Sequence, residues 1–262
     1  MSVYDGLAPS FDRDRAIPKS VAETIRAAIL AAVSVDRPRL LDLGAGTGRI
    51  GWAFLVREDD YIGIDLSLGM LQTFARRVRE EIGRAPCLAQ ADGQFLPFRN
   101  ASFDAVMMIQ VFGGMRGWRR LLAEARRVLR ASGALVLGRS VAPEDGVDAR
   151  MKQRLASILD EMGESVDSPN PRNDVQHALE AAATRNHRLI AAEWDAVRTP
   201  RGFIERHRTG ARFSALPERV RNEAMASLQR WADPAFGSLD APNRERHRFE
   251  LRVFEFQKGT DR

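Results

Sequence analysis

The segment Leu-Leu-Asp-Leu-Gly-Ala-Gly-Thr-Gly at residues 40–48 constrains the fold of this 262-residue chain more than any other. Four residues with the apolar density of a buried strand run directly into three glycines at alternate positions, and an apolar-periodic stretch follows. The reading is strand, tight turn, helix. Gly44, Gly46 and Gly48 let the backbone turn sharply and approach a ligand that side chains would hold off. The spacing excludes two familiar phosphate-binding loops. A dinucleotide fingerprint needs a glycine or alanine three positions after its second glycine, and position 49 is Arg. A P-loop needs Gly-Lys-Ser/Thr, which does not follow. Asp42, just before the turn, repels phosphate and suits a cationic group. The loop therefore favours a small nucleoside ligand without a pyrophosphate.

The same alternation continues along the chain. Helical spacing over Ile17–Val35 precedes a strand at Arg39–Leu43. Helix is predicted over Gly48–Val56, strand over Tyr61–Asp65, and helix over Ser67–Ile82 with Ser67 as its cap. Cys87–Ala91 and Phe103–Ile109 read as strands, Trp118–Leu129 as an amphipathic helix, and Ala134–Gly138 as a strand after Gly133. Near-continuous apolar strands between helices imply a doubly wound, mostly parallel α/β sheet covered on both faces. After Ser140 the rhythm breaks. Helical pieces are predicted near Ala149–Leu159, over Asp174–Thr184, and after Thr199–Pro200 and Leu216–Pro217, with strands at Arg188–Trp194 and His247–Gln257.

At 44% hydrophobic and 29% charged, the composition is that of a globular protein. The expectation is one domain over residues 1–262, with a nucleoside-binding core at 38–140 and lid or substrate insertions at 141–170 and 199–246. Cys87 is the only cysteine, which excludes an internal disulfide framework and a multi-cysteine metal site. No leader and no membrane-spanning stretch is read, so a cytoplasmic location is expected. Basic residues number 40 against 35 acidic ones, but lysine occurs only at 19, 152 and 258. The basicity is arginine usage plus the arginine-rich helix near 116–130, read as a solvated face rather than a nucleic-acid surface.

Two more acids stand at strand ends. Asp65 closes the second strand, beside the glycine loop in a doubly wound sheet, where a carboxylate can accept hydrogen bonds from both hydroxyls of a ribose. Asp92 ends the third strand at the same edge, within reach of an exocyclic amine. Together with Tyr-Ile-Gly-Ile-Asp-Leu-Ser, Ala-Asp-Gly-Gln-Phe-Leu-Pro-Phe, Ser-Phe-Asp-Ala-Val and Leu-Leu-Ala-Glu-Ala-Arg-Arg-Val-Leu-Arg-Ala-Ser-Gly-Ala-Leu, the glycine segment resembles the ordered motifs of class I S-adenosylmethionine-dependent methyltransferases, of the small-molecule, type 11 branch. The resemblance covers roughly residues 38–140. It implies a seven-stranded Rossmann-like sheet with a reversed terminal hairpin, S-adenosyl-L-methionine as cofactor, and transfer of its methyl group to a small-molecule acceptor.

By that resemblance Gly44, Ala45, Gly46, Thr47 and Gly48 form the loop under the methionine moiety, and Asp42 contacts the amino group. Asp65 holds the ribose, Leu66, Ala91, Asp92 and Gly93 meet the adenine, and Met70 packs on it. Ile109 and Gln110 line the sulfonium side. The N-terminal segment 1–35, with Tyr4-Asp5, Phe11 and Arg15, is similar to a stretch that covers the cofactor in this branch, although Phe11 stands where a tyrosine is usual. No catalytic base can be named. The loop after the fourth strand lacks the family's frequent histidine, and of the four scattered histidines, each read as surface or partly buried, only His207 is kept as a candidate. No metal is implied. An RNA or protein methyltransferase, or a cofactor-binding regulatory protein without transfer activity, are the alternatives. The expected assembly is a monomer or homodimer acting on a small molecule, without a membrane.

Overall fold

The structure, a computed structural model, describes residues 17–113, 115, 117–164, 171–208, 213 and 216–256. Its elements are α1 (Lys19–Ala32), β1 (Leu40–Leu43), α2 (Gly51–Val56), β2 (Tyr61–Asp65), α3 (Leu68–Ile82), β3 (Leu88–Gln90), β4 (Phe103–Ile109) and α4 (Trp118–Val128). They continue as β5 (Leu129–Val141), α5 (Val147–Glu161), α6 (Arg172–Ala182), β6 (Arg185–Arg198), α7 (Pro200–Arg208), α8 (Glu218–Phe236) and β7 (Asn243–Glu255).

The strands form one seven-stranded sheet in the order β3-β2-β1-β4-β5-β7-β6. The order reverses at β1, where the chain steps outward to β2 and β3 and then returns to β4. Pairings β1/β2, β2/β3, β1/β4 and β4/β5 are parallel, as the continuous apolar strands require. Along β6 and β7 the facing pairs Thr184/Glu255, Arg188/Glu250 and Asp195/Arg246 run in opposite order, so these two strands are antiparallel and make the reversed hairpin. Glu250, 3% exposed in its side chain, sits between Arg139 at 2.9 Å and Arg188. Burial alone would raise its pKa. The hydrogen bonds from the two guanidiniums outweigh burial and hold it down at about 2.

Two compact units divide the chain. The first holds the described parts of 1–140, 169–192 and 249–262, and its core gathers Leu41, Leu43, Ile64, Phe103, Val106 and Phe254 from the strands with Leu122, Ala125 and Leu179 from the helices. In the second, within 141–168 and 193–248, the inward faces of α5, α7 and α8 meet through Met151, Ile158, Phe203, Val220 and Leu228. Pro200 opens α7 with Thr199 Oγ1 accepting the Gly202 N–H at 3.0 Å, the start expected from Thr-Pro.

Boundaries differ from the sequence reading where glycines are used otherwise. Helix α2 begins at Gly51 rather than Gly48, because Gly48 has φ +75° and belongs to the loop. Strand β5 begins at Leu129, not after Gly133. Leu129 pairs with Phe103 and the register shifts before Ala105, so Gly133 lies inside an irregular strand against the Asp104 carbonyl, where a Cβ would come within 2.7 Å. The cap of α3 is as expected, with Ser67 Oγ accepting from the Met70 N–H at 3.3 Å.

Two glycines with the same backbone angle test how packing and conformation separate. A Cβ at Gly48 would lie 2.0 Å from the Phe74 ring, whereas one at Gly83, also at φ +75°, meets nothing within 4 Å. Gly48→Ala is expected to cost about 2–5 kcal/mol, overpacking added to left-handed strain, and Gly83→Ala only ~1–2 kcal/mol. Urea unfolding of the two variants measures the difference.

Candidate functional site

Parallel pairing brings the ends of β1, β2, β3 and β4 to one edge, with Leu43 beside Ile64 and Asp65 beside Gln90. The glycine loop leaves β1 there and is bound to β2. The N–H groups of Gly44 and Ala45 both donate to the Ile64 carbonyl, at 2.8 and 2.9 Å. The Gly46 N–H donates to Asp65 Oδ2 at 2.9 Å, while Asp65 Oδ1 accepts from the Ser67 N–H at 2.8 Å. A carboxylate so fixed stands half-buried between the loop and the start of α3, and a carboxylate is the kind of group that accepts from a vicinal diol. Gly44, Gly46 and Gly48 all have positive φ, at 82°, 57° and 75°. Thr47 is buried, whereas Gly44 is exposed and Ala45 and Gly46 half-buried at the open side of the turn.

Asp42 lies below the loop and is 3% exposed. Its Oδ2 accepts from the Tyr61 hydroxyl at 2.7 Å. Its Oδ1 is fully buried and has no hydrogen-bond partner among the described residues. Burial raises its pKa to about 7, against the pull of the Tyr61 hydrogen bond and with a further push from Asp65.

Ala91 joins the group through its N–H, which donates to the Asp65 carbonyl at 3.1 Å. Asp92 closes the next turn, its Oδ1 accepting from the Gln94 N–H at 2.9 Å and its carbonyl from the Phe95 N–H, also at 2.9 Å. Gly93 leaves room for Leu121, 2.4 Å from where a Cβ would stand. Leu66 is exposed beside Asp65, while Met70 is 3% exposed and packs inward from α3. At the end of β4, Ile109 is half-buried and Gln110 takes φ +58°, rare for a residue with a side chain. Gln110 is held there by its N–H on the Gly138 carbonyl at 2.9 Å and by Arg49 Nη2 on its Oε1 at 2.8 Å. Arg15, Tyr4 and the rest of 1–16 lie outside the described residues, as does Arg116.

Several supports of the site escaped sequence reasoning. Phe54 stacks on Tyr61 with centroids 5.6 Å apart, and Phe74 meets Tyr61 edge-on at 6.3 Å. Gly51 makes room for the Tyr61 hydroxyl, 2.2 Å from a Cβ built there, and Gly44 for Val111 at 2.4 Å. Only the apolar periodicity hinted at Phe54 and Phe74. Nothing distinguished Tyr61 from any other strand aromatic.

The histidines correct the sequence reading in part. His177 and His187 are exposed, but His247 is buried at 4%, its Nε2 3.0 Å from Glu245 Oε2. His207 lies on Phe203 with centroids 3.7 Å apart, and its Nδ1–H donates to the Phe203 carbonyl at 3.0 Å. Burial pushes its pKa down to about 4, aided by Lys152 and Arg206, so it is neutral at pH 7 and a weak base. Among the described residues no group of three or more His, Cys, Asp or Glu could hold a metal ion, and no helix is long and apolar enough to cross a membrane.

Residues 41–137 match a family model described as a methyltransferase domain. The chain is 36% identical over 130 residues to a malonyl-[acyl-carrier protein] O-methyltransferase of Geobacter sulfurreducens, covering 48% of this chain and 47% of that protein. It is 34% identical over 151 residues to the ubiquinone/menaquinone biosynthesis C-methyltransferase UbiE of Dinoroseobacter shibae, covering 55% and 58%. The matched stretches thus span about half the length of these curated relatives. In fold it is similar to the YcgJ protein of Bacillus subtilis, with a TM-score of 0.56 and 19% identity over 89% of this chain and 98% of that one. The matching segment, which is similar to a methyltransferase domain, is the one that carries the glycine loop and the three strand-end aspartates.

Proposed function

We propose that this protein transfers the methyl group of S-adenosyl-L-methionine to a small-molecule acceptor, in the cytoplasm, as a monomer or homodimer. The observation that carries the reading is the pairing of a positive-φ glycine loop with two unlike carboxylates. Asp65 is half-buried and held by backbone N–H groups, whereas Asp42 is buried with Oδ1 unpartnered among the described residues. The residues fit the cofactor on chemical grounds. An ammonium group answers the buried Oδ1 of Asp42, ribose hydroxyls answer Asp65, and the glycine loop admits close approach of the chain between them. Leu66, Ala91, Asp92 and Gly93 supply an apolar and acceptor surface for adenine, with Met70 packed beneath, and Ile109 and Gln110 border the reacting side.

When bound, the cofactor supplies a methyl group already activated on a sulfonium. The chain's own work is then to hold an acceptor in line and to exclude water. A dedicated base is optional for such a transfer, which agrees with the low basicity of His207. The fixed left-handed Gln110 is a pre-set element at the edge of the reacting side. The segments 141–170 and 199–246, whose described residues build the helices α5, α7 and α8, are proposed to select the acceptor. The segment 1–35 is proposed to cover the cofactor.

Two measurements test the reading. Asp65→Ala should weaken cofactor binding by about one to two orders of magnitude, as loss of a partly buried charged acceptor does. Titration calorimetry giving unchanged affinity would remove Asp65 from the site. Methyl-labelled cofactor incubated with a metabolite extract should label a small molecule, and label found only in RNA or protein controls would overturn the acceptor class.

A further inference from the structure

We propose that Tyr61 is a positioning residue that orients Asp42 and couples capture of the cofactor's ammonium group to the ionisation of that one carboxyl. The inference rests on the cofactor reading above and concerns what controls it.

The other buried carboxylates of the described chain show what is unusual about Asp42. Asp104 accepts from the Arg39 N–H at 2.9 Å and pairs with Arg130 at 2.7 Å. Glu250 is clamped by Arg139 and Arg188. Glu245 accepts the Val147 N–H at 2.6 Å and faces His247. Each has partners for both of its oxygens or a cation beside it. Asp42 has one neutral donor, and its second oxygen is buried without a partner among the described residues. An unpaired buried carboxylate is costly, so it persists where a ligand completes it.

The donor cannot move away. The Tyr61 ring is fixed between Phe54 and Phe74, and the two glycines nearest its hydroxyl leave no slack. A Cβ would lie 2.2 Å from that oxygen at Gly51 and 3.2 Å at Gly63. Burial and the Asp42 charge push the Tyr61 pKa well above its usual value, so the hydroxyl stays protonated and donates. By binding Oδ2, Tyr61 fixes the carboxyl plane and leaves Oδ1 for an incoming cation. Among the described residues the ionisable groups acting on Asp42 are Tyr61 and Asp65, both on β2. The residues paired with Asp42 across the strands, Gly63 on β2 and Met107 on β4, carry no charge, and Phe54 on α2 and Phe74 on α3 are apolar.

The sign of the coupling follows. Asp42 titrates at about 7, so it is neutral in acid, where it offers no charge to an ammonium, and ionised in base. Affinity for an ammonium-bearing ligand should rise with pH through that midpoint. Between pH 6 and pH 8 the ionised fraction grows about tenfold, and the association constant should grow with it. Tyr61→Phe keeps the aromatic stack but removes the hydrogen bond that favours the ionised form. Its midpoint should move up by about one pH unit.

The test measures Kd by calorimetry from pH 5.5 to 8 for S-adenosylhomocysteine, which carries the amino group, and for 5′-methylthioadenosine, which lacks it. The first should tighten about tenfold from pH 6 to pH 8 and the second stay flat. Asp42→Asn should make the first flat as well. A carbon-13 titration of the Asp42 carboxyl in the ligand-free protein should show the higher midpoint in Tyr61→Phe. A Tyr61 with only a packing role would lower the melting temperature and leave the midpoint in place, which would overturn the proposal. So would parallel profiles for the two ligands. Binding of methylthioadenosine with a pH-independent S-adenosylhomocysteine Kd defeats this inference alone, whereas binding of neither defeats the cofactor reading and this inference with it.

Discussion

Two positions without side chains, Gly48 and Gly51, let an aromatic cluster rise directly against the glycine loop, and the rest of the site depends on that contact. Phe74 occupies the space a Cβ of residue 48 would need, and the Tyr61 hydroxyl the space of residue 51. Rings packed this closely cannot shift without moving the loop backbone, because interiors at close packing transmit displacement. The loop is thus fixed from below by rings and from the side by the Ile64 carbonyl and the Asp65 carboxylate. A loop held in this way has little conformational freedom left to lose.

Electrostatics divides the buried acids by purpose. Glu250, clamped by two arginines, is held ionised and joins three strands, since Arg139, Glu250 and Arg188 lie on β5, β7 and β6. Asp42 is the opposite case. The native state binds its proton more tightly than the unfolded chain does, so this group's contribution to stability falls as pH rises from about 4 to about 7. A stretch of core that gives up stability at neutral pH is the expected mark of a site shaped for a ligand rather than for folding.

The fold was legible because its signals are local and periodic. The β4 span Phe103–Ile109 and the Ser67 cap of α3 follow from apolar runs and capping chemistry. The strand-end aspartates were legible because a parallel sheet sends every strand end to one edge, so spacing along the chain becomes neighbourhood in space. Misplaced boundaries fell at glycines. Gly133 reads as a turn before a strand, but its backbone approaches the Asp104 carbonyl inside one, and sequence does not record which backbone comes close to which.

Sequence by itself determined the parallel α/β class, the loop at 44–48 and the identity of the carboxylates, because each follows from residue type and spacing along one strand or turn. Tertiary structure alone decided what those carboxylates are. Whether Asp42 is exposed and acidic or buried with a pKa about 7 depends on Tyr61, on Asp65 and on the solvent excluded around them, none of which is local in the chain. The same holds for His207, whose ring acquires its low basicity from Phe203 and from burial. A side chain's chemistry is set by the dielectric and the donors around it, and those are assembled only when distant segments pack.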